Sequence, residues 1–130
     1  MSIESDSLGY VSLAVAFGAV AVSVITFLRK QKSEQFRIAL DINNRLEENV
    51  NQLLNTEKDT PERRSYSLQY LNSLEFLSFL INKGEIKNKN IIEFFKPRLM
   101  NETKRIFDDY PDIANDEKAF EEIKKLRKKL

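Results

Sequence analysis

A run of 21 residues without a charged side chain, LGYVSLAVAFGAVAVSVITFL, occupies positions 8–28 and constrains this chain more than any other feature. The run also lacks Pro, Asn and Gln. As a helix rising ~1.5 Å per residue it would extend over ~31 Å, which matches the ~30 Å hydrocarbon core of a bilayer. We therefore predict a transmembrane helix over residues 8–28.

Two other interpretations of this run are less favoured. A cleaved signal peptide is one of them, because Ala19-Val20-Ala21 has the small-x-small pattern that a signal peptidase recognises. However, the preceding SIESDS is acidic where a secretory signal carries Lys or Arg, and cleavage would leave an apolar new N-terminus. The other is a buried helix of a soluble protein, which rarely needs an uninterrupted apolar surface of this length.

Basic residues predict the orientation of the span. All 21 Lys and Arg follow position 28, and the first of them are Arg29, Lys30 and Lys32. Because basic flanks stay on the cytoplasmic side, we predict a single-pass plasma-membrane protein with residues 1–7 outside and residues 29–130 forming a cytoplasmic domain. Within the span, Ala14 and Gly18 lie four residues apart, which is the spacing of a candidate helix-pairing face in the bilayer.

The composition excludes much of enzyme chemistry. Cys and His are both absent, so the chain lacks thiol nucleophiles, the commonest metal ligands and the side chain best suited to proton transfer. Three Gly are too few for a glycine-rich phosphate loop. The basic C-terminal stretch KKLRKK has no interleaved aromatic residues, which argues against nucleic acid. We predict no catalytic residue, no metal site, no cofactor and no enzyme activity.

The rest of the chain has helical patterns only. We predict an all-α fold in which the transmembrane helix is followed by a three- or four-helix bundle. Thr60 and Pro61 suit the start of a helix, and Gly84 suits a left-handed stop. Pro97 lies inside the third predicted bundle helix and should kink it. The predicted bundle helices cover about residues 33–55, 62–83, 89–108 and 116–129.

The amphipathic pattern of the bundle predicts its core. The first bundle helix carries apolar residues on one face at 3.6-residue spacing: Phe36, Ala39, Leu40, Ile42, Leu46, Val50, Leu53 and Leu54. The second, RSYSLQYLNSLEFLSFLINKG, is apolar nearly all round. A helix that is apolar on every side is expected at the centre of a bundle.

Few polar residues are candidates for a site. Asn72 and Glu75 lie in the helix expected to be most buried, and a buried carboxylate needs a partner, for which Asn43 and Arg98 are the candidates. We predict that these four residues form a buried polar network, with a ligand site as the alternative. Phe94 points away from the main apolar stripe of its helix and is the candidate partner contact.

The stretches YLNSLEFLSFLINKGEI and NIIEFFKPRLM resemble a family of small uncharacterised prokaryotic proteins. The shared features are an Asn-x-x-Glu pair in an apolar helix, a Gly-led turn and an aromatic segment broken by Pro. Here they fall on Asn72, Glu75, Gly84, Phe95 and Pro97. The resemblance covers roughly residues 10–107 in layout. It implies a single N-terminal membrane helix with a helical cytoplasmic domain of unknown function, and it implies no activity.

We predict a non-enzymatic protein-interaction module or a small accessory subunit of a membrane complex, because the chain combines a membrane anchor and a helical core with a lack of catalytic side chains. Its expected partners are the bilayer and either another membrane protein or a second copy of the chain. The alternative is a membrane-tethered sensor or regulator that binds a small ligand near Asn72 and Glu75.

Overall fold

All of the regular structure in the described residues is helical, which confirms the all-α prediction. The computed structural model describes the backbone of residues 3–130, and the side chains of residues 22, 25, 26, 29, 30 and 32–130. The chain divides into two compact units, residues 1–34 and residues 35–130, and the bundle belongs to the second.

Most residues of the predicted membrane features lie outside those whose side chains the structure describes. The outer segment 1–7, the helix-pairing residues Ala14 and Gly18, and the span 8–28 lie outside the residues whose side chains are described, apart from three residues in the span. In the described part of the chain, no helix is both long enough and apolar enough to cross a bilayer.

The described residues form six helices and one π-helical segment, and those from residue 35 onward make up the bundle, which was predicted to have three or four helices. The first bundle helix was predicted to begin near residue 33, and that position lies inside the first helix of the structure. The elements are α1 (Ile3–Leu54), α2 (Pro61–Asn82), α3 (Lys89–Pro97), a π-helical segment (Arg98–Glu102), α4 (Thr103–Asp109), α5 (Pro111–Asn115) and α6 (Glu121–Lys129).

A single apolar core joins these elements. One face of α1 and one face of α2 contribute to it, and on each face the buried apolar residues recur at the 3.6-residue spacing of a helix. The later elements add one or two residues each. The buried apolar residues are Ala39, Ile42, Leu46, Tyr70, Leu71, Leu74, Leu77, Ile86, Ile91, Phe95, Leu99, Ile106, Phe107, Ile113, Ile123 and Leu126.

Helix α2 is less central than its sequence predicts. Tyr70, Leu74 and Leu77 are buried, but Phe76 and Phe79 on another face are 48% and 41% exposed. The bundle has too few helices to surround α2, so part of its apolar surface faces solvent. The expectation of a helix buried on every side is therefore wrong.

Local chemistry defines both ends of α2, as predicted. The Thr60 hydroxyl accepts a hydrogen bond from the backbone N–H of Arg63 at 3.2 Å, and Pro61 occupies the first turn. At the other end Gly84 has a φ of 78°. Its N–H bonds to the Ile81 carbonyl at 3.1 Å and the next N–H bonds to the Leu80 carbonyl at 2.9 Å, which is a Schellman cap.

Replacing Gly84 tests this cap. We expect Gly84→Ala to lower the free energy of unfolding by about 1 kcal/mol, because a Cβ disfavours positive φ. The added Cβ would meet the Lys87 side chain at 3.4 Å, so crowding adds little. Gly84→Asn should cost less, since Asn tolerates this conformation. Urea unfolding of the three proteins measures the difference, and an equal loss for Ala and Asn would contradict the explanation.

Pro97 is the last residue of α3, and helical structure continues directly after it. Proline has no N–H to donate, and the π-helical segment follows it directly. The N–H of Thr103 bonds to the Arg98 carbonyl, and the buried Thr103 hydroxyl donates to the same oxygen at 3.2 Å. The predicted kinked helix 89–108 thus consists of α3, the π-helical segment and α4.

Candidate functional site

An open, mainly apolar groove lies between α1 and α3. Its volume is about 300 Å³. We call it the α1–α3 groove. It is lined by Phe36, Ala39, Leu40 and Asn43 from α1, and by Asn90, Ile91, Phe94 and Phe95 from α3.

The groove exists because the apolar stripe of α1 is wider than the bundle covers. Ala39 on this stripe is buried at 8% exposure, but Phe36 and Leu40 beside it are 45% and 59% exposed. Across the groove, Phe95 is fully buried while Phe94 is 59% exposed. The two rings meet edge to face with centroids 5.1 Å apart. The sequence predicted Phe36 and Leu40 only as part of the apolar core stripe of this helix. Their position at the edge of that stripe was the one sign that they would be exposed.

Polar contacts tie the two helices together at each end of the groove. At one end the Gln35 side-chain oxygen accepts hydrogen bonds from the N–H groups of Lys87 and Asn88, at 3.0 and 3.1 Å. At the other end Arg98 Nη1 donates to Asn43 Oδ1 at 2.5 Å. The two helices therefore run side by side in the same direction, and the groove spans about two turns between these contacts.

Arg98 is held in a fixed position beside the apolar floor. Its guanidinium carbon lies 5.7 Å from the Phe94 ring centroid and 5.9 Å from that of Phe95, within the range of cation–π attraction. Among the described residues no carboxylate lies within ion-pair distance of it. Asn43 links Arg98 indirectly to a carboxylate, because Asn43 Nδ2 donates to Glu47 Oε1 at 3.5 Å.

The predicted polar network divides into separate contacts. Asn43 and Arg98 meet, as described above. Glu75 contacts neither of them, because its two carboxylate oxygens accept hydrogen bonds from the N–H groups of Glu122 and Ile123, at 2.7 and 3.1 Å. Asn72 is exposed on the outer face of α2. The expectation that the four residues form one buried network is therefore wrong, since α2 turns Asn72 to solvent and Glu75 toward α6.

Glu75 supplies the N-terminal cap that α6 lacks locally. The residue before α6, Phe120, is left-handed with a φ of 53° and makes no side-chain cap. The first N–H groups of a helix need acceptors and carry partial positive charge. A carboxylate from α2 meets both needs, so Glu75 joins two helices rather than forming a ligand site.

No family model, curated protein or solved structure matches this chain. The basic residues that were predicted to set the orientation of the membrane span are all exposed; they are Arg29, Lys30 and Lys32.

Another, smaller cavity adjoins Tyr70. Its volume is about 90 Å³, and Arg63, Glu102, Arg105 and Asp109 lie around it. Glu102 is paired with Arg105 at 3.4 Å. Burial raises the pKa of the Tyr70 hydroxyl to about 12, so this group stays protonated at neutral pH.

The raised pKa predicts loss of stability at high pH. The folded protein holds the Tyr70 proton up to about pH 12, whereas an unfolded tyrosine loses it near 10. Stability from this group is therefore complete below pH 10 and falls as pH rises toward 12, by up to about 2 to 3 kcal/mol. Unfolding measured from pH 9 to 12 should show a steeper fall for the wild type than for Tyr70→Phe. The half-buried Tyr66 is the control, and a Tyr66→Phe protein that lost the same dependence would contradict this origin.

Proposed function

We propose that this chain is a membrane-anchored, non-enzymatic interaction module, or a small accessory subunit of a membrane complex, that binds its partner through the α1–α3 groove. One observation carries the proposal: Phe36, Leu40 and Phe94 are large apolar side chains, each 45–59% exposed, that line one groove. Exposed apolar clusters of this kind mark interaction sites, and buried aromatic anchors supply much of the energy of protein interfaces.

The anchor is the second part of the proposal and draws its support from the sequence. The uncharged run at residues 8–28 is long enough to span a bilayer, and the basic residues after it favour a cytoplasmic bundle at the plasma membrane. A tether of this kind raises the effective concentration of the bundle toward other membrane proteins or a second copy. The resemblance to small prokaryotic single-pass proteins, which implies the same arrangement of one membrane helix and a helical cytoplasmic domain, is part of this proposal.

The contacts of Glu75 weaken the alternative of a small-ligand sensor. Both oxygens of Glu75 are engaged by backbone N–H groups of α6. Asn72 lies on the exposed side of α2. The two side chains therefore do not converge on a pocket, whereas those of the α1–α3 groove do.

Membrane fractionation tests the anchor. We expect the full-length protein to stay in the membrane pellet after a carbonate wash. Its C-terminal part should resist protease added outside sealed right-side-out vesicles and be digested once the vesicles are opened. Release by carbonate would contradict the anchor, and digestion from outside would contradict the orientation.

Extraction in mild detergent tests the interaction. The proposal predicts that the protein migrates on native gels in a discrete complex larger than the micelle-bound monomer, either with another membrane protein or with itself. A protein that is strictly monomeric and without a partner across its native expression conditions would contradict the proposed function.

A further inference from the structure

We infer that the occupant of the α1–α3 groove is an amphipathic helix of a partner protein that presents apolar side chains to the groove and a carboxylate to Arg98. This inference rests on the proposed function and adds the chemistry of the partner. Its basis is the combination of an open apolar groove with a positioned guanidinium at one end.

The shape of the groove fits a helix better than a small molecule. Phe36, Leu40 and Phe94 are each 45–59% exposed, so the groove is open to solvent rather than enclosed. Phe36 and Asn43 are seven residues apart on α1, which corresponds to about 10 Å or two helical turns. A helix laid in such a groove inserts apolar side chains at four-residue and seven-residue intervals.

Arg98 supplies the charge preference. A guanidinium offers five N–H donors in a rigid fork, and Asn43 accepts from only one of its nitrogens. Asn43 and the two Phe rings fix the orientation of the fork, so little freedom is lost when a carboxylate binds it. Carboxylate is the planar acceptor that matches this geometry.

Docking itself makes the acidic group necessary. An occupant that covers Phe94 also removes water from the half-buried Arg98 above its ring. Because no described carboxylate lies within ion-pair distance of Arg98, a purely apolar helix would bury this charge without a partner, which is unfavourable. A helix with Asp or Glu one turn beyond its apolar pair avoids that cost and gains charge-assisted hydrogen bonds.

A peptide selection tests the inference on the full-length protein in lipid nanodiscs. The probe is a displayed library of 20-residue amphipathic helices with fixed apolar residues four apart and randomised positions elsewhere. Binders to empty nanodiscs and to Leu40→Asp nanodiscs are removed. We expect the remaining peptides to carry Asp or Glu at one fixed spacing from the apolar pair.

The coupling between peptide and protein identifies the pairing. Changing the selected acid to its amide should weaken binding to the wild type roughly ten- to hundredfold and leave binding to Arg98→Gln unchanged. Arg98→Lys keeps the charge without the fork and should give intermediate binding. Because these comparisons include a change made in the peptide alone, a folding defect in the protein cannot produce the coupling.

Four results would overturn the inference. One is the selection of groove-dependent peptides that show no preference for an acidic residue. Another is an effect of the amide substitution that is equal in the wild type and in Arg98→Gln. Either result would leave the proposed function standing but show that Arg98 does not bind the partner. Self-association of the wild type that Leu40→Asp abolishes would make the occupant a second copy. Failure to select any groove-dependent peptide would count against the groove itself, and so against the proposed function as well.

Discussion

Glu75→Ala is expected to lower the free energy of unfolding by about 2 to 3 kcal/mol. The substitution removes the acceptor of two N–H groups at the start of α6, which are bonded at 2.7 and 3.1 Å. Hydrogen bonds to charged groups contribute about 1.5 to 3 kcal/mol, and part-buried donors left without an acceptor add to the cost. Chemical unfolding followed by circular dichroism measures the loss.

Two control variants separate capping from other effects of the substitution. Glu75→Gln keeps one oxygen acceptor and should lose roughly half as much stability, because its amide nitrogen cannot accept the second hydrogen bond. Asn72→Ala, one turn away on the exposed face, should change stability by less than about 0.5 kcal/mol. Equal losses at positions 72 and 75 would contradict the capping role.

Leu40→Asp is expected to eliminate the detergent-stable complex while leaving the bundle folded. The variant places a charge in an apolar groove, and loss of a central interface anchor weakens binding by about 2 kcal/mol or more. Leu40 is 59% exposed in the unbound protein, so we expect stability to fall by less than about 1 kcal/mol, mainly from the lower helix propensity of Asp. Native gels and thermal unfolding measure the two effects together.

The matched control for this prediction lies on α2. Phe79 is 41% exposed, and Phe79→Asp introduces the same charge at an apolar surface that does not line the groove. This variant should keep the complex. If Phe79→Asp disrupted the complex and Leu40→Asp did not, the docking surface would be the outer face of α2.

Local chemistry made much of the fold predictable. Thr60 and Gly84 act through hydrogen bonds to residues within a few positions along the chain, so sequence alone carries the signal. The periodicity of α1 likewise predicted its buried residues Ala39, Ile42 and Leu46. It did not show how much of that stripe the bundle would cover.

Long-range contacts were not predictable in the same way. The partner of Glu75 is the backbone of α6, 47 and 48 residues later. That contact depends on where α6 begins, and the start at Glu121 follows a left-handed Phe120 that no local pattern signals. The sequence therefore predicted that Glu75 needs a partner and proposed the wrong residues for it.

The groove was predictable in part. Phe94 was expected to face a partner because it lies off the stripe that contains Phe95, and its exposure agrees with that geometry. Asn43 and Arg98 were each predicted as partners of Glu75, and a hydrogen bond between the two of them was not predicted. It joins residues 55 positions apart in the chain, and no local pattern signals a contact of that kind.

Photo-cross-linking in intact membranes tests the central claim most directly. A photoreactive side chain is placed at position 40 in the full-length chain, with position 79 as the matched site on α2. The proposal predicts one discrete cross-linked product from position 40, lost when Phe94→Asp is added, and no such product from position 79. Equal cross-linking from both positions, or none from position 40, would contradict the groove as the docking surface.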